Sequence, residues 1–129
     1  MNGTVLIVDG DVNAQIIVAT LLRLRGFTVR VALDVAAACE TFAHDHVGVV
    51  LVDLSALGMN SLETLHRLRT AYAPLRVPRR IVAVTDRDPA SERFARQVGA
   101  DAILRKPMNP GQLIATVEEL VERSAPQAA

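Results

Sequence analysis

The sequence predicts an α/β fold, a parallel sheet covered by helices on both faces. Five short apolar runs recur along the 129 residues, each followed by a segment of helical period. The first, third and fourth runs are near-continuous Val, Ile and Leu, as strands buried on both faces require. Most helical segments carry their own start or stop signals, so strand and helix alternate.

In chain order, "TVLIVD" (4–9) is the first strand, and the first helix runs over roughly 12–25, ending before Gly26. "FTVRVA" (27–32) alternates apolar and polar residues and reads as an edge strand with one side partly wet. The second helix, roughly 34–45, starts after Asp34, and "VGVVLVD" (47–53) is the third strand. "NSLETLHRLRTAY" opens with Asn60 three residues ahead of Glu63, the spacing of a capping box. "RIVAVTD" (80–86) is the fourth strand. Asp88 then caps "DPASERFARQVG", with Pro89 in the first turn and Gly99 just past the end. "DAILRK" (101–106) is the fifth strand. Asn109 and Pro110 open the last helix, whose Leu113, Ile114, Val117, Leu120 and Val121 form one stripe. One domain is expected over residues 1–123, with 124–129 a disordered tail.

Half of the residues are hydrophobic and 22% are charged, the balance of a globular chain. Fourteen basic residues against fourteen acidic ones give a formal net charge of zero, and aromatics are only 3%. Nucleic acid and anionic membranes select a basic excess, and single strands need stacking platforms, so neither partner is expected. Cys39 is alone and reads as a small buried hydrophobe. His44, His46 and His66 read as surface residues rather than zinc ligands, and the Arg-rich stretch 67–80 as a solvated helix end and loop. No basic residue precedes the first apolar run and no apolar stretch spans a membrane, so a cytoplasmic location is expected.

The chemistry gathers at the strand ends. Strand one finishes in Asp9, strand three in Asp53, strand four in Thr85 and Asp86, and strand five in Lys106 followed by Pro107. Open parallel sheets bind ligands at the C-terminal ends of their strands, where strand order reverses. If strands one and three are neighbours, Asp9 and Asp53 face one another. Two such carboxylates repel unless a cation lies between them or one takes up a proton, and Mg²⁺ suits oxygen ligands. Thr85 offers a hydroxyl and Lys106 a point charge to the oxygens of a phosphoryl group. An Asp in that setting is able to act as nucleophile and become an aspartyl phosphate.

Taken together, "LIVDGD", "VVLVDLSALGMNSLETLHRLR", "IVAVTD" and "GADAILRKP" make the whole chain resemble the receiver domain of two-component response regulators. The resemblance implies a flavodoxin-like five-stranded sheet of order 2-1-3-4-5. It implies Mg²⁺-dependent phosphotransfer from a histidine kinase or phosphotransfer protein onto Asp53, with at most slow self-dephosphorylation rather than enzymatic turnover. Asp9, Asp53 and the backbone carbonyl of Ser55 would be metal ligands, with Asp11 a further candidate. Thr85 would be the switch hydroxyl and Lys106 the phosphate-binding lysine, joined to Pro107 by a cis peptide bond. The first helix, with Asn13, Ile16 and Ile17, would dock the phosphodonor. The face of the fourth helix, fifth strand and fifth helix would meet an output partner or a second copy.

Four departures from the family pattern qualify this. Gly10 stands where receivers carry a second adjacent acid, so one direct metal ligand is missing unless Asp11 reaches in; capping the first helix is the simpler role for Asp11. Leu57 and Ser61 stand in the loop after the acceptor, without the usual Pro and acid–glycine pair. Ile103 occupies a commonly aromatic position, and Arg87 adds a cation beside the pocket. Weakened Mg²⁺ affinity is expected, by about 1–3 kcal/mol for one lost charged ligand, together with an altered switch. The alternative is a pseudo-receiver, the same fold acting as a protein-binding module independent of phosphate. An electron carrier of flavodoxin type fits poorly, because "DGDVNAQ" has neither hydroxyl nor aromatic. With no effector segment after residue 123, output is expected to pass through another polypeptide or the rest of a longer protein.

Overall fold

The computed structural model describes residues 4–54, 61–72, 80–86 and 88–124. Ten elements alternate: β1 (Thr4–Val8), α1 (Val12–Leu24), β2 (Thr28–Ala32), α2 (Val35–His44), β3 (Val49–Asp53), α3 (Ser61–Tyr72), β4 (Arg80–Thr85), α4 (Pro89–Gln97), β5 (Ala102–Arg105) and α5 (Pro110–Ser124). The strands form one sheet of order β2-β1-β3-β4-β5, and every pairing is parallel. Strand order therefore reverses at β1, whose neighbours are β2 and β3.

The pleat divides the core in two, because successive side chains point to opposite faces. Val5 and Ile7 of β1, Val49 and Leu51 of β3, and Val82 and Val84 of β4 pack with Val18 and Leu22 of α1 and Leu113 and Val117 of α5. Leu6, Val8, Val50, Val52, Ile81 and Ala83 take the other face, beneath Ala38 and Phe42 of α2, Leu65 and Leu68 of α3, and Ala95 of α4. β2 lies at the edge with alternating burial over its first three residues, as its sequence predicts.

Short acids set the helix starts. Asp11 accepts from the Asn13 and Ala14 N–H groups, Asp34 from Ala37 and Asp88 from Ala90, satisfying donors that a first helical turn leaves open. Gly99 closes α4 at φ +87. A Cβ there would also come within 3.1 Å of the Arg69 guanidinium, which donates to the Gly99 carbonyl from α3.

The differences from expectation are local. Each strand is one or two residues shorter than its run: β1, β4 and β5 stop short of Asp9, Asp86, Asp101 and Lys106, while β2 and β3 begin after Phe27 and after Val47 and Gly48. Ser124 ends α5 rather than opening a tail, and residues 125–129 and Asn60 lie outside the described residues. Cys39 is exposed, not buried. α2 buries Ala38 and Phe42, one turn apart, and the next position round the helix turns to solvent. Among the described residues no helix is long and apolar enough to cross a membrane.

Candidate functional site

The C-terminal ends of β1, β3 and β5 bring three ionisable side chains to one mouth. Asp9 and Asp53 continue the parity of Val5, Ile7, Val49 and Leu51, so the pleat directs both carboxylates to the α1/α5 face. Each is 4% exposed. Lys106, just past β5, reaches the Asp53 carboxylate with Nζ 2.6 Å from Oδ2, a charge-assisted contact. Its backbone N–H donates to the Thr85 carbonyl at 2.8 Å, which fixes the stem from which the side chain reaches. The Lys106–Pro107 peptide bond is cis.

Among the described residues, two carboxylates thus share a mouth with one ammonium. The charge shortfall appears at Asp9, whose carboxyl is raised above its ordinary pKa. Burial is the largest cause, and the Asp53 charge adds to it; the Asp11 N–H and the Lys106 ammonium oppose it. The Asp11 N–H donates to Asp9 Oδ1 at 2.9 Å. Gly10 is exposed and contributes no side chain. Asp11 is also exposed, and its own carboxylate is engaged with the N–H groups of α1. It caps the helix.

Thr85 is fully buried, and its hydroxyl finds no hydrogen-bond partner among the described residues. It shares parity with Ile81 and Ala83, so the pleat assigns it to the α3/α4 face, opposite the carboxylates. Ile103 packs against that same core. Ser55, Leu57 and Arg87 lie outside the described residues; Ser61 is the first residue of α3.

Among the described residues no group of three or more His, Cys, Asp or Glu side chains forms a metal cluster. Among the described residues the donors on hand for a hard cation are the Asp9 and Asp53 carboxylates. They fit Mg²⁺ in kind, since a mouth short of positive charge favours a cation, and the donor set is small because Gly10 adds nothing to it.

Two features escape the sequence-based reading. Gln15 of α1 is 5% exposed, and its Nε2 donates to the Asp9 carbonyl at 2.7 Å and the Ala32 carbonyl at 3.0 Å. The signal was available, as Gln15 is the one polar residue in the buried stripe Gln15, Val18, Ala19 and Leu22. The second is Arg105 of β5, which grips Glu92 of α4 through two nitrogens; two exposed charges thirteen residues apart give no sequence signal.

A family profile described as the response regulator receiver domain matches residues 5–118. The chain is 32% identical to the transcriptional regulatory protein CpxR homolog of Haemophilus influenzae, over 93% of this chain and 51% of that protein. It is 30% identical to response regulator MprA of Mycobacterium bovis, over 100% of this chain and 55% of that protein. The chain therefore spans about half the length of these curated relatives. Among solved structures, the Francisella response regulator 1452 receiver domain superposes with a TM-score of 0.82 at 21% identity, covering 96% of this chain and 100% of that one. A co-crystal structure of the Saccharomyces cerevisiae histidine phosphotransfer protein Ypd1 and the receiver domain of Ssk1 gives a TM-score of 0.83 at 22% identity, covering 96% and 92%. At these identities the structural likeness speaks for the fold.

Proposed function

The chain belongs to the response regulator receiver domain family, and on that premise we propose that it accepts a phosphoryl group on Asp53 from a histidine kinase or a phosphotransfer protein. The observation that carries this reading is the buried Asp53 carboxylate held 2.6 Å from the Lys106 ammonium, with Asp9 beside it at the strand ends. In the transfer, an Asp53 oxygen forms the new P–O bond as the P–N bond of the donor's phosphohistidine breaks, and the imidazole nitrogen leaves. Lys106 lies against the acceptor carboxylate and stays within reach of the phosphoryl oxygens, where a fixed positive charge stabilises the charge that develops. Mg²⁺, held by Asp9 and Asp53 and, by family analogy, the Ser55 carbonyl, would supply positive charge against these oxygens. The Thr85 hydroxyl, without a partner among the described residues, is a donor in want of an acceptor, which supports its role as the switch group.

The donor's docking surface is the exposed side of α1. Val12, Ile16 and Ile17 are each more than half exposed. An apolar groove of about 550 Å³ beside them, lined by Ile17, Leu21, Pro107, Met108 and Leu113, opens next to Lys106. An exposed apolar patch of this kind marks a protein partner, consistent with the assembly named for the Ypd1–Ssk1 crystal. The α4–β5–α5 face, with Phe94 47% exposed, is assigned to an output partner or a second copy. A cytoplasmic setting follows from this role.

Gly10 and Ile103 favour the second reading, a phosphate-independent binding module. Amide NMR decides between the two. Titration with Mg²⁺ and then beryllofluoride, a phosphoryl mimic, should shift Asp9, Asp53, Thr85 and Lys106. A spectrum unmoved at millimolar Mg²⁺ and saturating beryllofluoride removes the phosphoacceptor reading and leaves the binding module.

A further inference from the structure

We infer that Gln15 is a positioning residue for the acidic mouth, replacing with its side chain a strand donor that the sheet does not provide. The inference rests on the phosphoacceptor reading above. In a strand the N–H and C=O of one residue point the same way, and the Asp9 N–H donates to the Ala32 carbonyl at 3.0 Å, toward β2. The Asp9 carbonyl thus also faces β2. A parallel ladder would satisfy it with an N–H two residues beyond Ala32, but β2 ends at Ala32 and residue 34 is already the cap of α2. Gln15 fills the gap. Its Nε2 carries two protons, and they go to Asp9 O at 2.7 Å and Ala32 O at 3.0 Å.

The consequence is that Asp9 keeps strand geometry one residue beyond the ladder, so its carboxylate stays on the face of Asp53 and Lys106. The other end of the short loop is closed independently, by the Asp11 N–H on Asp9 Oδ1 and the Gln15 N–H on the Asp11 carbonyl. Gly10 brings no side chain to the loop. Asp9 is the one acid that β1 delivers, and its aim depends on Gln15 more than it would where a second acid stood beside it. A buried amide on an apolar helix stripe is otherwise unfavourable unless fully hydrogen-bonded, and here its two donors go to the strand ends that carry the site.

The test measures beryllofluoride affinity at fixed Mg²⁺ by amide NMR, together with urea unfolding, on the whole chain. Gln15→Met keeps the length and removes both donors. It should weaken binding by about 10- to 100-fold, the effect typical of losing a group that orients a metal ligand. Gln15→Arg, which restores paired donors on a longer stem, should recover most of that loss. Ala19→Gly, one turn along the same buried stripe, lowers stability without touching Asp9 and should bind within about twofold of the parent. Equal binding by Gln15→Met and the parent, or equal weakening by Ala19→Gly, overturns the positioning role. If Gln15→Met does not fold, the Arg variant decides: it must bind within about threefold of the parent while its unfolding midpoint falls, as a buried charge dictates. A parent that binds no beryllofluoride defeats the phosphoacceptor reading itself, a different result from a parent that binds and variants that bind equally.

Discussion

Replacing Asp9 by Asn should stabilise the metal-free protein. Asp9 is 4% exposed, and its carboxyl is raised above the ordinary value first by burial and then by Asp53, against the Asp11 N–H and the Lys106 ammonium. The Asp53 and Lys106 charges act on it in opposite directions, the Asp11 charge raises it further, and all rank below burial. The largest cause is the burial of a carboxylate, relieved in part by one hydrogen bond from a backbone N–H at 2.9 Å. Asn keeps an oxygen for that N–H and removes the charge. The expected gain at neutral pH is about 1–2 kcal/mol, the unfavourable burial less the weaker bond that Asn retains, or roughly 3–8 °C in Tm for a domain of this size.

The sign with pH follows from the direction of the shift. A carboxyl raised in the folded state disfavours folding above that raised value, and the penalty fades as pH falls through it toward the ordinary 3.8. The gap between Asp9→Asn and the parent should therefore be widest near neutrality and close below about pH 4. Thermal unfolding followed by circular dichroism in EDTA measures it. Adding Mg²⁺ should narrow the gap, because only the parent keeps both carboxylate ligands and a ligand of the native state raises its stability. An Asp9→Asn protein with a Tm equal to or below the parent's in EDTA at pH 7 would refute the burial penalty assigned to the Asp9 carboxylate.

Gly10→Asp should tighten Mg²⁺ by one to two decades, about 1–3 kcal/mol for one restored charged ligand, read by NMR titration; an unchanged affinity would mean that position 10 does not face the metal. Gly99→Ala should destabilise by about 1–2 kcal/mol, since the residue holds φ +87 against the Arg69 guanidinium, measured as a lower urea midpoint at constant slope. The Arg105 hydrogen bond holds the Glu92 carboxyl below its ordinary 4.5, so the tie between α4 and β5 contributes above that value and is lost as pH falls through the lowered one. Hydrogen exchange of α4 amides should accelerate in that acid window and with added salt, while β3 amides stay protected.

The fold was legible because apolar periodicity marked the strands and helix stripes and capping residues marked several helix ends. Asp34, Asp88 and Gly99 marked helix ends in the sequence and mark them in the structure, and strands buried on both faces leave short Val- and Ile-rich runs whose length and β-branched content set them apart from helices. The site was legible as residue types at strand ends. Its internal geometry was not. The sequence joins Thr85 to Lys106 as two partners for phosphoryl oxygens, whereas pleat parity assigns them to opposite faces. Gln15 was passed over because helix-stripe reading looks for apolar residues and counts a single polar one as noise. The Arg105–Glu92 contact depends on how α4 lies along β5, a tertiary relation with no local signature.

The division of the mouth by the pleat bears on how a phosphoryl group at Asp53 would be felt elsewhere. Asp9, Asp53 and Lys106 lie on the α1/α5 face, the side that carries the apolar groove. Thr85 and Ile103 lie on the other, against the core that carries α4. New charge therefore enters on one face, and a change in the α4 surface must be expressed on the other. Strand β4 ends at Thr85, so its hydroxyl has one route across, over the open end of the strand. Moving that way would bring a buried donor, without a partner among the described residues, toward the phosphoryl oxygens and would leave space on the face that Ile103 shares. An isoleucine has no ring to swing into it and no polar end to follow the hydroxyl, so on this chain any response of α4 is limited by what Thr85 alone vacates. Weak coupling between the mouth and α4 would then follow from the β5 residue, separable from the weakened metal affinity expected of Gly10.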